Sequence, residues 1–356
     1  MKSSGPRGQN GLPALFLALL MAAIAPSGLR IAPAEADPTS PAPRTIDIFH
    51  DVPIRFAPDS AQAGLPRGVT ATNDGRIVET TVTLPTPSDP VRLAVLLSVR
   101  PVPKSDREVF DRYDRAGSVR LAVDGAPDIE ILRFITSYGG ATEHEADVTY
   151  LAPLLRGRRT IRLQIDTWVS PAWRVDLALR VTPAPGHDVP SWAAPVYRTD
   201  DFNRASMPDG DSVTVTVPPG LARVVMDYTA TGHCTDGIDA DEFVSKANVI
   251  SVDGVVVARF HPWRDDCRRF RDRNPYCARW TDGSWSSDYS RSGWCPGDAV
   301  LPTELDLTDH LTPGRHTIRF VIEDMRPKDA KGAYGYWRVA ACLVGWGRAP
   351  DLWRNE

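Results

Sequence analysis

Three carboxylates stand beside aromatic and basic neighbours in a way that suits acid–base work on a bound polar molecule. The stretch "REVFDRYDR" at 107–115 sets Asp111 between Phe110 and Tyr113, with Arg112 adjacent. "DADEFVSK" at 239–246 sets Glu242 against Phe243, and "IDTW" at 165–168 puts Asp166 two residues from Trp168. A fourth stretch, "WRDDCRRFRDRNPYCARWTDGSWSSDYSRSGWCPG", gathers Trp263, Phe270, Tyr276, Trp280, Trp285, Tyr289 and Trp294 among arginines and aspartates. Aromatic planes take the apolar CH faces of a sugar ring, and planar polar side chains take its hydroxyls. Each feature also has a plainer reading: ion-paired surface loops for the carboxylates, and a small core that folds a long loop for the aromatics.

Other chemistries lack their residues. The seven histidines are scattered singly, with no HxH, HH or HExxH, so zinc and copper catalysis have no ligand set. GxSxG and a phosphate-cradling Gly-rich loop are both absent. The start of the chain, with Lys2, Arg7, the apolar run "LPALFLALLMAAIA" and "AEA" at 34–36, has the layout of a secretory signal peptide over 1–36. Export to the periplasm or medium is therefore expected, with no membrane span. Removing residues 1–36 takes three of the 41 Lys and Arg and one of the 45 Asp and Glu, for a mature charge of about −6. Such a balance gives no general attraction to nucleic acid or anionic lipid. All five cysteines (Cys234, Cys267, Cys277, Cys295, Cys342) lie beyond residue 36, without a CxxC. In an exported protein they read as disulfide formers with at least one left over.

The elements that must position these residues are strands. In 160–168 Ile161, Leu163 and Ile165 alternate with Arg162, Gln164 and Asp166. In 172–181 Trp173, Val175, Leu177, Leu179 and Val181 share one face, as do His316, Ile318, Phe320 and Ile322 in 316–324. Period-two alternation broken by Gly, Pro and Asp clusters predicts half-buried strands in antiparallel sandwiches. Pro-rich segments at 37–44 and 183–197 mark a leader and a linker, leaving one sandwich over 45–182 and another over 198–349. The halves repeat a pattern: a VDG turn (123–125, 252–254) followed by a DxT motif (Asp147, Asp306) and an alternating strand. The second interval exceeds the first by about thirty residues, and the Trp/Cys-rich stretch, within 261–300, is that excess. Rich in aromatics, it is expected to be an ordered, functional insertion.

"FDRYD", "RFITSYGG", "IDTW", "TGHC…DEF" and "SRSGWCPG" together resemble the peptide-N-glycosidase F family, in order from about residue 77 to 346. The resemblance implies an all-β fold of two side-by-side eight-stranded antiparallel jelly rolls. It implies an amidase that hydrolyses the bond between an asparagine side chain and the first N-acetylglucosamine of an N-glycan, turning Asn into Asp. By this match Asp111, Glu242 and Asp166 are the acids; Arg112, Arg291, Trp168, Trp294, Phe110 and Phe243 line the substrate; Cys267 and Cys295 form a disulfide. No cofactor is implied; the partner is an N-glycoprotein or glycopeptide, and the enzyme a monomer. The chain departs from the family in having Phe110 and Phe243 for Trp, Asp166 for a longer Glu, and Ala240 and Val244 where cysteines flank the glutamate. A glycan-binding protein that kept the cleft without the chemistry is the alternative expectation. A copper monooxygenase, also built on paired jelly rolls, fails on its histidines.

Overall fold

The computed structural model describes residues 42–234, 241–329, 332 and 334–347. The signal segment, most of the leader and Ala240 lie outside these. Residues 42–347 belong to one compact unit.

The first half runs β1 (Arg44–Ile54), β2 (Val69–Thr72), β3 (Ile77–Leu84), β4 (Val91–Pro101), a small hairpin of β5 (Pro103–Ser105) and β6 (Glu108–Val109), then β7 (Ala116–Leu121), β8 (Ile129–Ile135), β9 (Thr142–Asp147), β10 (Gly157–Ile165) and β11 (Trp173–Pro183). The second runs β12 (Trp192–Phe202), β13 (Asp211–Val217), β14 (Leu221–His233), β15 (Asn248–Val252), β16 (Val255–Phe260), β17 (Ala299–Val300), β18 (Thr303–Asp306), β19 (Gly314–Ile322) and β20 (Tyr336–Gly347). One sheet of the first sandwich has the order β1-β11-β4-β9; its counterpart in the second is β12-β20-β14-β18. The facing sheets are β8-β7-β10-β3 and β16-β15-β19-β13, with β2 a short addition beyond β3. All these pairings are antiparallel. The protein is thus an all-β double jelly roll, and the repeat seen in the sequence is a repeat of topology.

Alternation turned the expected side chains inward. Ile161, Leu163, Ile165, Trp173, Val175, Leu177 and Leu179 are buried in the first core, and Ile318, Phe320 and Ile322 in the second. The strand β12 begins at Trp192, inside the stretch read as linker to residue 197, because Trp192, Val196 and Tyr197 fill the second core. Both DxT motifs do the same job. The Asp side chain accepts from its Thr N–H (Asp147–Thr149 2.9 Å, Asp306–Thr308 3.1 Å). Each Thr Oγ1 accepts from a backbone N–H of the neighbouring long strand: Leu93 in β4 at 3.0 Å, Val224 in β14 at 3.1 Å.

The sandwiches are joined by packing and by charge. Ala193, Cys342 and Val344 of the second belong to the core cluster of the first. Arg133 on β8 donates to the Arg338 carbonyl at 2.6 Å, and Arg338 on β20 donates to Asp166 at 2.6 Å. The insertion adds a third tie, because β17 pairs with β8 of the first sandwich through Ala299–Phe134 and Val300–Arg133.

Candidate active site

A cleft of about 1130 Å³ opens along the seam, lined from both sandwiches and from the insertion. Its first wall is the shared end of β7 and β10. These strands are antiparallel neighbours with Gly117 opposite Ile165, and the Asp166 N–H donates to the Ala116 carbonyl at 2.9 Å. Residues just before β7 and just after β10 must therefore meet on one rim. They are Asp114 and Arg115 on one side, Asp166 and Trp168 on the other, and all four line the cleft.

That geometry separates the residues of "FDRYDR". Asp111 is 0% exposed and lies off the cleft. It accepts from Arg115 (Nε at 2.9 and 3.3 Å, Nη2 at 3.0 Å), from Thr167 Oγ1 at 2.5 Å, from the Tyr113 backbone N–H at 3.3 Å and from Trp173 Nε1 at 3.4 Å. Nor do Phe110 and Arg112 line the cleft; both are exposed. The stretch contains an Asp–Arg pair twice, three residues apart. Only the second abuts β7, so Asp114 and Arg115 reach the cleft, while Asp111 neutralises Arg115 from beneath. The onset of the alternating run at Ala116 was the signal that could have distinguished them.

The second wall carries Glu242, in the turn at 241–243. Glu242 accepts from Arg291 Nε at 3.2 Å. Arg291, only 1% exposed, also donates to the carbonyls of Tyr289 (2.9 Å) and Ser286 (2.7 Å). Its Nη2 stands 4.0 Å from Asp114. The guanidinium is held between two rings, 5.1 Å from Phe243 and 4.8 Å from Trp294. Trp294 is itself buried and donates Nε1 to the Gly232 carbonyl at 2.9 Å. Arg291, Trp294 and Phe243 therefore build the floor, with Arg291 bridging a carboxylate from each sandwich.

Burial pushes the Glu242 carboxyl up to about 7, against the pull of Arg291 and with the help of Asp114. Burial also raises Asp114, which Arg291 and a hydrogen bond from the Tyr138 hydroxyl hold back. Because the Asp114 charge bears on Glu242, the two carboxyl groups titrate as a coupled pair. Asp166, on the same cleft, is held by Arg338 at 2.6 Å, with Arg76 at 3.8 Å. Trp168 (59% exposed) lies over the Arg76 guanidinium, and Trp280 (52% exposed) presents a second open ring from the insertion.

The insertion is ordered, and a disulfide and the Asn274 side chain are among the groups that hold it. Cys267 and Cys295 form a disulfide with Cα atoms 5.1 Å apart, while Cys234, Cys277 and Cys342 are unpaired. The Asn274 side chain accepts from the Tyr138 backbone N–H at 2.8 Å and donates to the carbonyls of Phe270 and Pro296. It thereby fixes the loop that carries Tyr138 into the cleft. Tyr138, Arg115, Tyr334, Tyr336 and Arg338 line the cleft without having been singled out in the sequence, since a lone Tyr or Arg carries no local pattern. Among the described residues, no group of three or more His, Cys, Asp and Glu is arranged to hold a metal.

Residues 201–344 match the family model described as the C-terminal part of peptide-N-glycosidase F. No curated protein sequence matches the chain. Among solved structures, PNGF-II superposes with a TM-score of 0.77 at 26% identity, over 86% of this chain and 66% of that one. The chain thus spans just under two thirds of that relative's length. PNGase F, a glycosylasparaginase from Flavobacterium meningosepticum, superposes with a TM-score of 0.65 at 18% identity, over 87% and 97% of the two chains. A recombinant peptide:N-glycanase F gives 0.66 at 17% identity.

Proposed function

We propose, from the premise that this chain is a member of the peptide-N-glycosidase F family, that it hydrolyses the bond linking asparagine to the first N-acetylglucosamine of N-glycans. The substrates are glycoproteins or glycopeptides. The observation that supports this most is the meeting of Asp114 and Glu242, one from each sandwich, about a single buried arginine in one cleft.

Water adds to the amide carbonyl carbon, the carbon–nitrogen bond breaks, and the nitrogen leaves with a proton as a glycosylamine, leaving aspartate. In this reading Glu242 holds the water and takes its proton, which requires the ionised form of a group whose pKa is near 7. Asp114 acts at the scissile amide, with Tyr138 as its hydrogen-bonded companion. Arg291, whose Nε is already bonded to Glu242, keeps the pair in register and steadies its negative charge. Asp166, tied to Arg338, shapes the rim and stays outside the proton transfers. Trp168 and Trp280 offer open faces to sugar rings. The acids, the arginine and the tyrosine supply the chemistry from the chain's own residues. A disulfide at Cys267–Cys295 fits an oxidising compartment, in keeping with export.

The test is to incubate the purified protein with a denatured N-glycoprotein, with and without chelator. Mass spectrometry then reads Asn-to-Asp conversion at glycosylated sites. Conversion that survives the chelator is expected. Glycan binding without conversion would replace the amidase by a lectin-like protein.

A further inference from the structure

Asp241 and Glu242 are neighbours in the chain with opposite surroundings. Glu242 faces the cleft, while Asp241 is 0% exposed and points into the second sandwich. Asp241 Oδ1 accepts from Trp337 Nε1 at 3.1 Å and lies 3.3 Å from the Lys246 ammonium. Its Oδ2 accepts from the Arg326 backbone N–H at 3.1 Å. Lys246 is equally buried and also donates to the Asp324 carbonyl. Two glycines leave room for this approach. A Cβ on Gly335 would fall 1.3 Å from Asp241 Oδ2, and one on Gly232 would fall 2.4 Å from the Asp241 carbonyl oxygen.

A buried ion pair is a poor source of stability, since apolar residues of similar size often serve as well or better. What this one does supply is a fixed location. It closes residues 241–246 into a turn pinned at both ends, with Asp241 and Lys246 sharing one contact. The backbone beside it is pinned too: the Ser292 N–H donates to the Glu242 carbonyl at 2.9 Å, and the Glu242 N–H donates to the Cys234 carbonyl at 3.3 Å. Phe243, next along the turn, stacks on the guanidinium of Arg291. A displacement of Asp241 is thus passed by one peptide unit to the carboxylate that Arg291 holds.

We propose that Asp241, locked by Lys246 and Trp337, is a positioning residue that sets where the Glu242 carboxylate meets the substrate. The kinetic part rests on the amidase reading; the positional part does not.

The test removes both charges together, Asp241→Ala with Lys246→Met, so that neither member of this pair is left facing the other's absence. Near-UV circular dichroism and the melting temperature establish folding. On a glycopeptide, kcat is expected to fall about a hundredfold with KM within about threefold, the signature of a misplaced reacting group. By carboxyl NMR, Glu242 should titrate closer to the ordinary glutamate range, because the burial that raises it is relaxed. Val244→Ser, exposed on the same turn, should leave both readouts unchanged. Should the double variant fail to fold, Trp337→Phe removes one donor and should move the same readouts the same way, by about tenfold in kcat. Folded variants with wild-type kcat and an unmoved Glu242 titration overturn the proposal. A wild-type protein that releases no glycan overturns the amidase reading instead, and the titration still decides the role of Asp241.

Discussion

The two sandwiches share strand order, turn chemistry and the DxT corner, yet they contribute to the cleft by different means. The first offers strand ends: Asp114 precedes β7 and Asp166 follows β10, so their positions follow from pairing alone. The second offers a turn and a long insertion, whose positions depend on a disulfide, a buried ion pair and the stacked Arg291. A repeated scaffold thus acquires a site where one copy has been left lean and the other elaborated. Variants on the two sides should differ accordingly.

The largest effect is expected at the two acids themselves. Asp114→Asn and Glu242→Gln should each lower kcat/KM by about a thousandfold while leaving the protein folded, a loss within the range of general acid–base catalysis. Asp111→Asn tests the same rim from below. It breaks the contact of a fully buried carboxylate with the largely buried Arg115 and should show chiefly as lost stability, about 3 kcal/mol in denaturant unfolding. If Asp111→Asn abolished turnover in a stable protein while Asp114→Asn did not, the first sandwich would be presenting the other carboxylate.

The insertion should be the more fragile contributor. Replacing Cys267 and Cys295 by serine opens a loop with a sequence separation of 28, and chain entropy puts the cost at about 3.5 kcal/mol. Glycan release should be lost at a lower temperature than the near-UV signal of the first sandwich, because Arg291 and Trp294 sit in the released segment. Coincident loss would mean that the insertion is held mainly by its contacts with β8.

A charge that the second sandwich carries and the first does not gives the next effect. The strand registers align Leu96, opposite Glu145 in β9, with Asp227, opposite Glu304 in β18. Burial, with the Glu304 charge adding to it, pushes Asp227 up to about 7. A carboxyl whose folded pKa exceeds its unfolded value binds more protons when folded. Its contribution is therefore intact below about pH 4 and is lost as pH rises toward 7. Asp227→Asn should stabilise the protein by on the order of 2 kcal/mol at pH 8 and by little at pH 4.5, read from urea midpoints. An equal gain at both pH values would place the cause elsewhere than in ionisation.

The fold was legible because period-two alternation reports burial directly: Ile161, Leu163 and Ile165 could face only one way once one face was wet. The duplicated VDG and DxT motifs were legible because turns demand particular residues. The lining of the cleft was legible in part. Glu242, Arg291, Trp168 and Trp294 came from a resemblance strong in their own segments. Asp114 did not, because "DRYDR" offers the same pair in two frames, and choosing between them requires knowing where β7 begins relative to the end of β10. Asp241 was invisible for a related reason. Its partners Lys246, Arg326 and Trp337 lie 5, 85 and 96 residues away, and no spacing rule joins them.

The smallest expected effect probes the symmetry itself. Thr149 and Thr308 hold equivalent corners, each accepting from a strand N–H at 3.0–3.1 Å and each receiving an aspartate on its own N–H. Replacing either by valine keeps the shape and removes the hydroxyl acceptor, leaving Leu93 N–H or Val224 N–H without it. The cost of such a loss is about 1–2 kcal/mol. The two substitutions should therefore cost the same within about 0.5 kcal/mol and, being far apart with no shared partner, should add in the double variant. A markedly larger cost at Thr308 would mean that the second corner also carries strain from the insertion a few residues upstream, where β17 and β18 lie almost end to end. A larger cost at Thr149 would point instead to the first core, which takes in Ala193, Cys342 and Val344 from across the seam and so has more to lose when its corner loosens.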